Sequence, residues 1–360
     1  MNGLVTPSIA ALLPYEAGKP LEELARELGI GDAIKLASNE NPLGPSPMAI
    51  EAARKVLSES HRYPDAGAYR LRERLARKLG VPADEIIQGN GSNELLDLLV
   101  RTFTTADSHL VFAEPSFVVY RLAAMAHGVP FTAVPLSDDT HDLEAMAAAI
   151  TPRTKLVFVA NPNNPTGTYV GRAAIERFLR DVPKDVIVAI DEAYFEYADA
   201  PDYPDCLELR GLRERLVVLR TFSKIYGLAA FRVGYAVGPR DIVDYMNRVR
   251  APFNVGTHGQ AAAIAALDDV EHLDRSRRVN REERARVTAR LRDRGLGVAA
   301  SQANFVYVDL RRPARPVYDA LLRLGVIVRP FGSLPTHLRI TIGTPAENDR
   351  FLGALEEVLA

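Results

Sequence analysis

The chain has a single cysteine, Cys206, among 360 residues. No internal disulfide can form and no multi-cysteine metal site can assemble, which suits a reducing compartment. Excess charge is missing as well: 44 basic against 46 acidic residues leave a net charge of -2. That balance gives neither nucleic acid nor an anionic membrane a reason to bind. No apolar run approaches a membrane span, and the stretch MNGLVTPSIAALLPYEAGK lacks the basic start and long apolar core of a secretion signal. The chain therefore reads as cytoplasmic. His61, His109, His127, His141, His258, His272 and His337 are scattered, with no His or Cys partner at ligand spacing, so no metal is expected. Internal repeats and low-complexity segments are absent too.

What is present is the balance of a soluble globular protein, 47% apolar and 25% charged residues, in a chain long enough for about two domains. From about residue 68 to 250, short apolar runs alternate with helical patterns, the signature of strand-helix-strand units building a mostly parallel sheet. In AYRLRERLARKLG, Leu71, Leu75 and Leu79 share a helical face and Gly80 stops the helix. EIIQG, HLVFAEP, VPFTAVPL, KLVFVANP, DVIVAIDEAY, RLVVLRTFSK and RVGYAVG are predicted strands. Several carry polar residues at their carboxyl ends, where open α/β sheets place ligands. After about residue 251, a charged helical stretch precedes NFVYVDL, LGVIVRP and HLRITIG, which predicts a smaller α+β domain. The expected division is an arm over residues 1–44, with a short helix at 21–28, a large domain over 45–252 and a small domain over 253–360.

Two cations stand in the mostly apolar segment TFSKIYGLAAFRVG, Lys224 and Arg232. Burying an unpaired charge costs several kcal/mol or forces neutralisation, so both need partners. A lysine whose ammonium is destabilised becomes a nucleophile and forms a Schiff base with an aldehyde. An aspartate at a strand's carboxyl end, as Asp191 is in AIDEAY, can pair with the protonated pyridine nitrogen of pyridoxal phosphate. Taken alone, Asp191 and Glu192 would serve equally well as caps of a following helix. In NPNNPTG, Asn164 can hydrogen-bond that cofactor's phenolic oxygen, although an ordinary turn cluster has the same composition. GNGSN, placed before a helix, points backbone amides at an anion, and Thr221, Ser223 and Arg232 would complete a phosphate cup. No Lys-Ser/Thr pair follows its last glycine, so this is not a nucleoside-triphosphate loop.

The ordered set SNENPLGPSP, YPD, GNGSNEL, NPNNPTG, DEAY, TFSK and Arg232 resembles the fold-type I, pyridoxal-phosphate-dependent aminotransferases, most nearly the histidinol-phosphate aminotransferases. The resemblance spans almost the whole chain. It implies that Lys224 binds the cofactor covalently and then moves a proton, that Asp191 pairs with the ring nitrogen, and that Asn164 and Tyr194 hold the phenolic oxygen. Ser92, Asn93, Thr221, Ser223 and Arg232 would hold the phosphate, and Phe117 would stack on the ring. A tyrosine often stands at the position of Phe117 in the family; stacking needs only an aromatic face. Tyr120, three residues further on, is the weaker candidate for stacking. Tyr63 resembles a tyrosine that reaches a neighbouring subunit's site, which implies a homodimer; a packed surface tyrosine is the alternative.

For substrate, the resemblance implies that Arg339 grips a carboxylate, with Arg329 as a second cation and Tyr15 and Asn41 completing the site. The implied reaction moves the amino group of glutamate to imidazole-acetol phosphate, giving histidinol phosphate and 2-oxoglutarate. An aromatic amino acid aminotransferase or a threonine-phosphate decarboxylase would share the cofactor motifs. A cofactor-binding protein without turnover is disfavoured by the intact Lys, Asp, Tyr and Arg set.

Overall fold

The computed structural model describes residues 3–14 and 20–360. One short strand, β1 (Ile34–Lys35), belongs to the arm. The seven strands predicted from apolar runs follow: β2 (Ile86–Asn90), β3 (His109–Glu114), β4 (Phe131–Pro135), β5 (Thr154–Ala160), β6 (Ile187–Asp191), β7 (Leu216–Thr221) and β8 (Val233–Val237). They form one sheet in the order β2-β8-β7-β6-β5-β3-β4, in which only β8 runs against its neighbours.

Alternation within each run explains why the strands are apolar throughout. Along β5, Leu156 and Phe158 join one hydrophobic cluster while Val157 and Val159 join another, because successive side chains leave opposite faces of a strand. Each face is covered by helices. Ser92–Phe103, Val119–Ala126 and Arg240–Val249 contribute Leu95, Tyr120 and Ile242 to one cluster. Tyr69–Leu79, Arg172–Asp181 and Thr257–Ala266 contribute Leu71, Phe178 and Ala262 to the other. The Tyr69–Leu79 helix ends where expected, with Gly80 at φ 66°, a left-handed cap that glycine adopts without strain.

The last part of the chain adds β9 (Gly297–Val298), β10 (Phe305–Asp309), β11 (Val326–Ile327), β12 (Arg329–Phe331) and β13 (Leu334–Thr341). Four of them make an antiparallel sheet, β12-β13-β10-β9, and β11 pairs in parallel with β1 of the arm. Their core gathers Val306, Val308, Leu338, Ile340, Leu321 and Phe351, together with Leu36 from the arm. The closing helix Pro345–Leu359 starts in a capping box between Thr344 and Glu347.

Residues beyond 252 contribute to both hydrophobic cores. Val255, Ala262, Ala266, Leu267 and Leu273 all belong to the large-domain core, although they follow residue 252. The helix Val270–Asp293 then carries Leu273 in that core and Val287 and Leu291 in the small-domain core. One continuous helix thus joins the two cores, and Ala303 and Phe305 return to the first of them.

Phe158 is fully buried and stacks on Tyr120 with ring centroids 4.8 Å apart. Phe158→Ala is expected to cost about 3–5 kcal/mol in denaturant unfolding. A loss below about 1 kcal/mol would mean that this core layer collapses around the gap.

Candidate active site

Strand carboxyl ends gather the polar residues. The helix Ser92–Phe103 follows β2, Phe117 follows β3, Asn164 follows β5, Asp191 closes β6, and Thr221, Ser223 and Lys224 close and follow β7. Arg232 enters from the residue before β8, which runs the opposite way and so meets the same edge of the sheet. These residues, with Tyr194, Arg329 and Arg339, line one cavity of about 200 Å³. The crevice outside the carboxyl ends of an open α/β sheet is where this architecture binds ligands.

Electrostatics within the cavity are set by burial. Loss of water pushes the Lys224 amine down to about 8, with the Arg339 and Arg232 charges adding to the effect and Glu40 and Asp191 opposing it. The Lys224 Nζ lies 3.4 Å from the Ser38 carbonyl oxygen and 5.6 Å from the centre of the Tyr194 ring. Asp191 is moved the other way: burial lifts its carboxyl to about 6, and hydrogen bonds from Tyr120 and the Ala193 amide limit the rise. Tyr120 Oη donates to Asp191 Oδ2 at 2.9 Å, and Ala193 N donates to Oδ1 at 3.2 Å. Both donors are neutral, so a cationic ring nitrogen would supply the charge partner that the buried carboxylate favours. Glu192 is engaged elsewhere: Arg220 Nε and Nη2 both donate to its Oε2, at 2.9 and 2.7 Å, and the Cys206 amide donates to its Oε1 at 3.0 Å.

An anion cradle sits at the start of the Ser92–Phe103 helix. Gly91 occupies the position before it at φ 74°, and its N–H donates to the Arg232 carbonyl at 3.0 Å. A side chain at Gly91 would strike the Arg232 guanidinium, and one at Gly234 would strike the Ser92 amide. Arg232 itself is held at φ 54°, an uncommon conformation for a residue with a side chain, and reaches Ser223 Oγ at 3.4 Å. Backbone amides, the helix dipole, two hydroxyls and a guanidinium thus converge where a phosphate fits. With Phe117 for a ring face, Asp191 for a ring nitrogen and Lys224 for an aldehyde, the residues fit pyridoxal phosphate. Among the described residues, no group of three or more His, Cys, Asp or Glu is placed to hold a metal ion.

The small domain closes the other side. Arg339 on β13 donates to Asn164 Oδ1 at 2.6 Å and to the Ala37 carbonyl at 2.7 Å. Arg329 on β12 stands directly opposite Arg339 in the strand pairing. Two like charges facing across a sheet oppose each other, and an anion between them would offset the repulsion.

Two expected site residues do not line this chain's cavity. Asn41 does not line the cavity: its amide donates to the Ile225 carbonyl at 2.7 Å and to Ser276 Oγ at 2.9 Å, tying the arm to the large domain. Tyr63 is 82% exposed, stacks on Phe253 at 4.7 Å and is outside this chain's own cavity. Tyr15 falls outside the described residues. Conversely, Tyr120 is no ring stacker but the hydroxyl that orients Asp191, and Asn39, two residues before the expected asparagine, lines the cavity. The spacing of Tyr120 from Phe117 puts it one helical turn deeper, which hinted at burial but not at its partner.

This geometry is that of a fold-type I pyridoxal-phosphate-dependent transferase, and residues 31–355 match the family described as aminotransferase class I and II. The chain is 52% identical over 361 residues to histidinol-phosphate aminotransferase 2 of Pseudomonas aeruginosa, covering 99% of this chain and 98% of that protein. It is 49% identical over 364 residues to the Methylococcus capsulatus protein of the same name, with coverage of 99% and 98%. The crystal structure of histidinol-phosphate aminotransferase from Sinorhizobium meliloti in complex with pyridoxal 5'-phosphate superposes with a TM-score of 0.91 at 31% identity, covering 100% of this chain and 98% of that one. The chain belongs to the histidinol-phosphate aminotransferase family within the class I and II aminotransferases.

Gly91→Ala is expected to weaken pyridoxal phosphate binding about tenfold or more, since a left-handed alanine costs about 1–2 kcal/mol and would strike Arg232. Fluorescence titration of the cofactor-free protein checks this, with circular dichroism to confirm the fold. Unchanged affinity would remove the loop from the phosphate cradle.

Proposed function

We infer that the protein transfers the amino group of glutamate to imidazole-acetol phosphate, giving histidinol phosphate and 2-oxoglutarate in histidine biosynthesis. One observation supports this above the others: Arg339 and Arg329 face each other at the cavity, a pair able to grip either a carboxylate or a phosphate. Glutamate brings the first anion and the phosphorylated partner the second, so one site serves both halves of the reaction.

Pyridoxal phosphate, when bound, supplies an electrophilic carbonyl carbon and a cationic ring that accepts the electron pair released at the substrate's α-carbon. The chain's residues do the rest. Lys224, neutral in a larger fraction than an ordinary lysine, would hold the cofactor through its amine and, when that amine is free, would act as the base that carries the substrate's α-proton. Asp191, held by Tyr120, keeps the ring nitrogen protonated. The Arg339 bond to Asn164 Oδ1 leaves the Asn164 amide nitrogen to donate to the phenolic oxygen beside Tyr194. Ser92, Asn93, Thr221, Ser223 and Arg232 would anchor the phosphate, and Phe117 would offer its face to the ring.

Tyr63 belongs to the same reading. Its exposure, outside the cavity of its own chain, supports a homodimer in which it completes the site of a second copy. A cytoplasmic location accords with the lone, buried Cys206. No described helix is long and apolar enough to cross a membrane.

Because the neutral amine is the reacting form, adduct formation between cofactor-free protein and pyridoxal phosphate is expected to rise with pH through about 8; a rise centred near 10.5 would remove the burial effect on Lys224. Replacing Arg339 by alanine is expected to raise KM for glutamate about 10–100-fold, the loss of a charge-assisted fork. In steady-state assays, histidinol phosphate should exceed phenylalanine in kcat/KM. The reverse order would make the protein an aromatic aminotransferase.

A further inference from the structure

We propose that Asn39 is a positioning residue that turns the hydroxyl proton of Tyr194 into the cofactor cavity and couples it to the strand carrying Arg339. The inference rests on the reading of Tyr194 as a donor to the cofactor's phenolic oxygen and adds what sets the direction of that bond.

Every polar group of Asn39 is engaged. Its backbone N–H donates to Thr341 Oγ1 at 2.9 Å, and its backbone carbonyl accepts from Asn304 Nδ2 at 3.0 Å. Thr341 Oγ1 in turn donates to Asn39 Oδ1 at 3.1 Å. Thr341 Oγ1 already accepts from the Asn39 N–H, so the bond in which it donates is the one to Oδ1, which can only accept; this arrangement satisfies the threonine proton and sets the amide's orientation. With Oδ1 committed to Thr341, the amide nitrogen faces Tyr194, and Asn39 Nδ2 donates to Tyr194 Oη at 2.9 Å. A phenol oxygen that accepts along this direction must aim its own proton elsewhere. Tyr194 is almost fully buried and lines the cavity with Asn164 and Lys224, the side on which its proposed contact with the phenolic oxygen lies.

The chain of bonds begins on β13, where Thr341 is two residues beyond Arg339 and on the same face of the strand. It ends on the large domain at Tyr194. Asn39, held at φ 56°, joins the two. Asparagine tolerates this left-handed backbone, and so does aspartate, which makes Asn39→Asp a replacement of matching shape with the opposite hydrogen-bond sense. The aspartate can only accept from Tyr194 and would draw the proton out of the cavity.

The test is a pH titration of the absorbance of the protein loaded with pyridoxal phosphate, in wild type, Asn39→Asp, Asn39→Ala, Tyr194→Phe and the Asn39→Asp/Tyr194→Phe double variant. Loss of a donor to the phenolic oxygen raises the midpoint, and Tyr194→Phe is expected to raise it by about one pH unit, the scale of one charge-assisted hydrogen bond. Asn39→Asp should raise it at least as far, and Asn39→Ala, which leaves the hydroxyl free to turn, by less. In the Tyr194→Phe background, Asn39→Asp should add only the smaller effect of its charge. A merely structural role predicts the reverse order, with alanine worse than the matching aspartate. That order, or an equal Asn39→Asp shift in both backgrounds, overturns the proposal while leaving Tyr194 in place. An unmoved midpoint in Tyr194→Phe would instead overturn the contact of Tyr194 itself, and this inference with it.

Discussion

A buried carboxylate and a buried amine share one cavity, and the rest of the structure is arranged around keeping both chemically usable. Burial alone would neutralise each: it lifts Asp191 and lowers Lys224. For the amine this is the useful direction, since a neutral nitrogen attacks a carbonyl and a protonated one does not. For the acid it is not, and the Tyr120 hydroxyl and Ala193 amide restrain the shift so that a ring cation can complete the pair. The stacking of Tyr120 on Phe158 extends this restraint into the core, so the acid is held by the packing of the sheet itself.

The fold separates the two jobs of such an enzyme. Cofactor groups come from the carboxyl ends of strands in a sheet buried on both faces, a rigid platform. In the proposed reaction, the cations for the substrate would come from the antiparallel sheet of the small domain, where Arg329 and Arg339 meet across one strand pair. The arm passes between the two, giving Leu36 to the small-domain core, Asn39 to the cavity and Asn41 to the large domain. Ties from Arg339 to Asn164 and from Thr341 through Asn39 to Tyr194 make the substrate-binding strand and the cofactor-binding residues neighbours in one hydrogen-bonded unit.

The central sheet was legible because both-face burial leaves continuous Val, Ile and Leu runs, and because Asp191, Asn164 and Lys224 sit just where those runs end. The turn of GNGSN into a helix was legible for a similar reason, since glycines before a helical pattern mark its start. Less could be read where the partner is distant in sequence. Asn39 and Asn41 are both asparagines of one short motif, and only the backbone turn at Asn39 tells which one faces the cavity. Tyr120 looked like a second-choice stacker because its hydroxyl's partner is 71 residues away. That the Val270–Asp293 helix serves two cores was not legible, because a helix can run through both without any change of pattern.

The account stands on Asp191 keeping a cation opposite it. Binding ring-nitrogen-labelled pyridoxal phosphate and recording its ¹⁵N resonance tests this most directly. The account predicts a protonated nitrogen at neutral pH in the wild type and an unprotonated one in Asp191→Asn. An unprotonated nitrogen in the wild type, or the same resonance in both proteins, would contradict it.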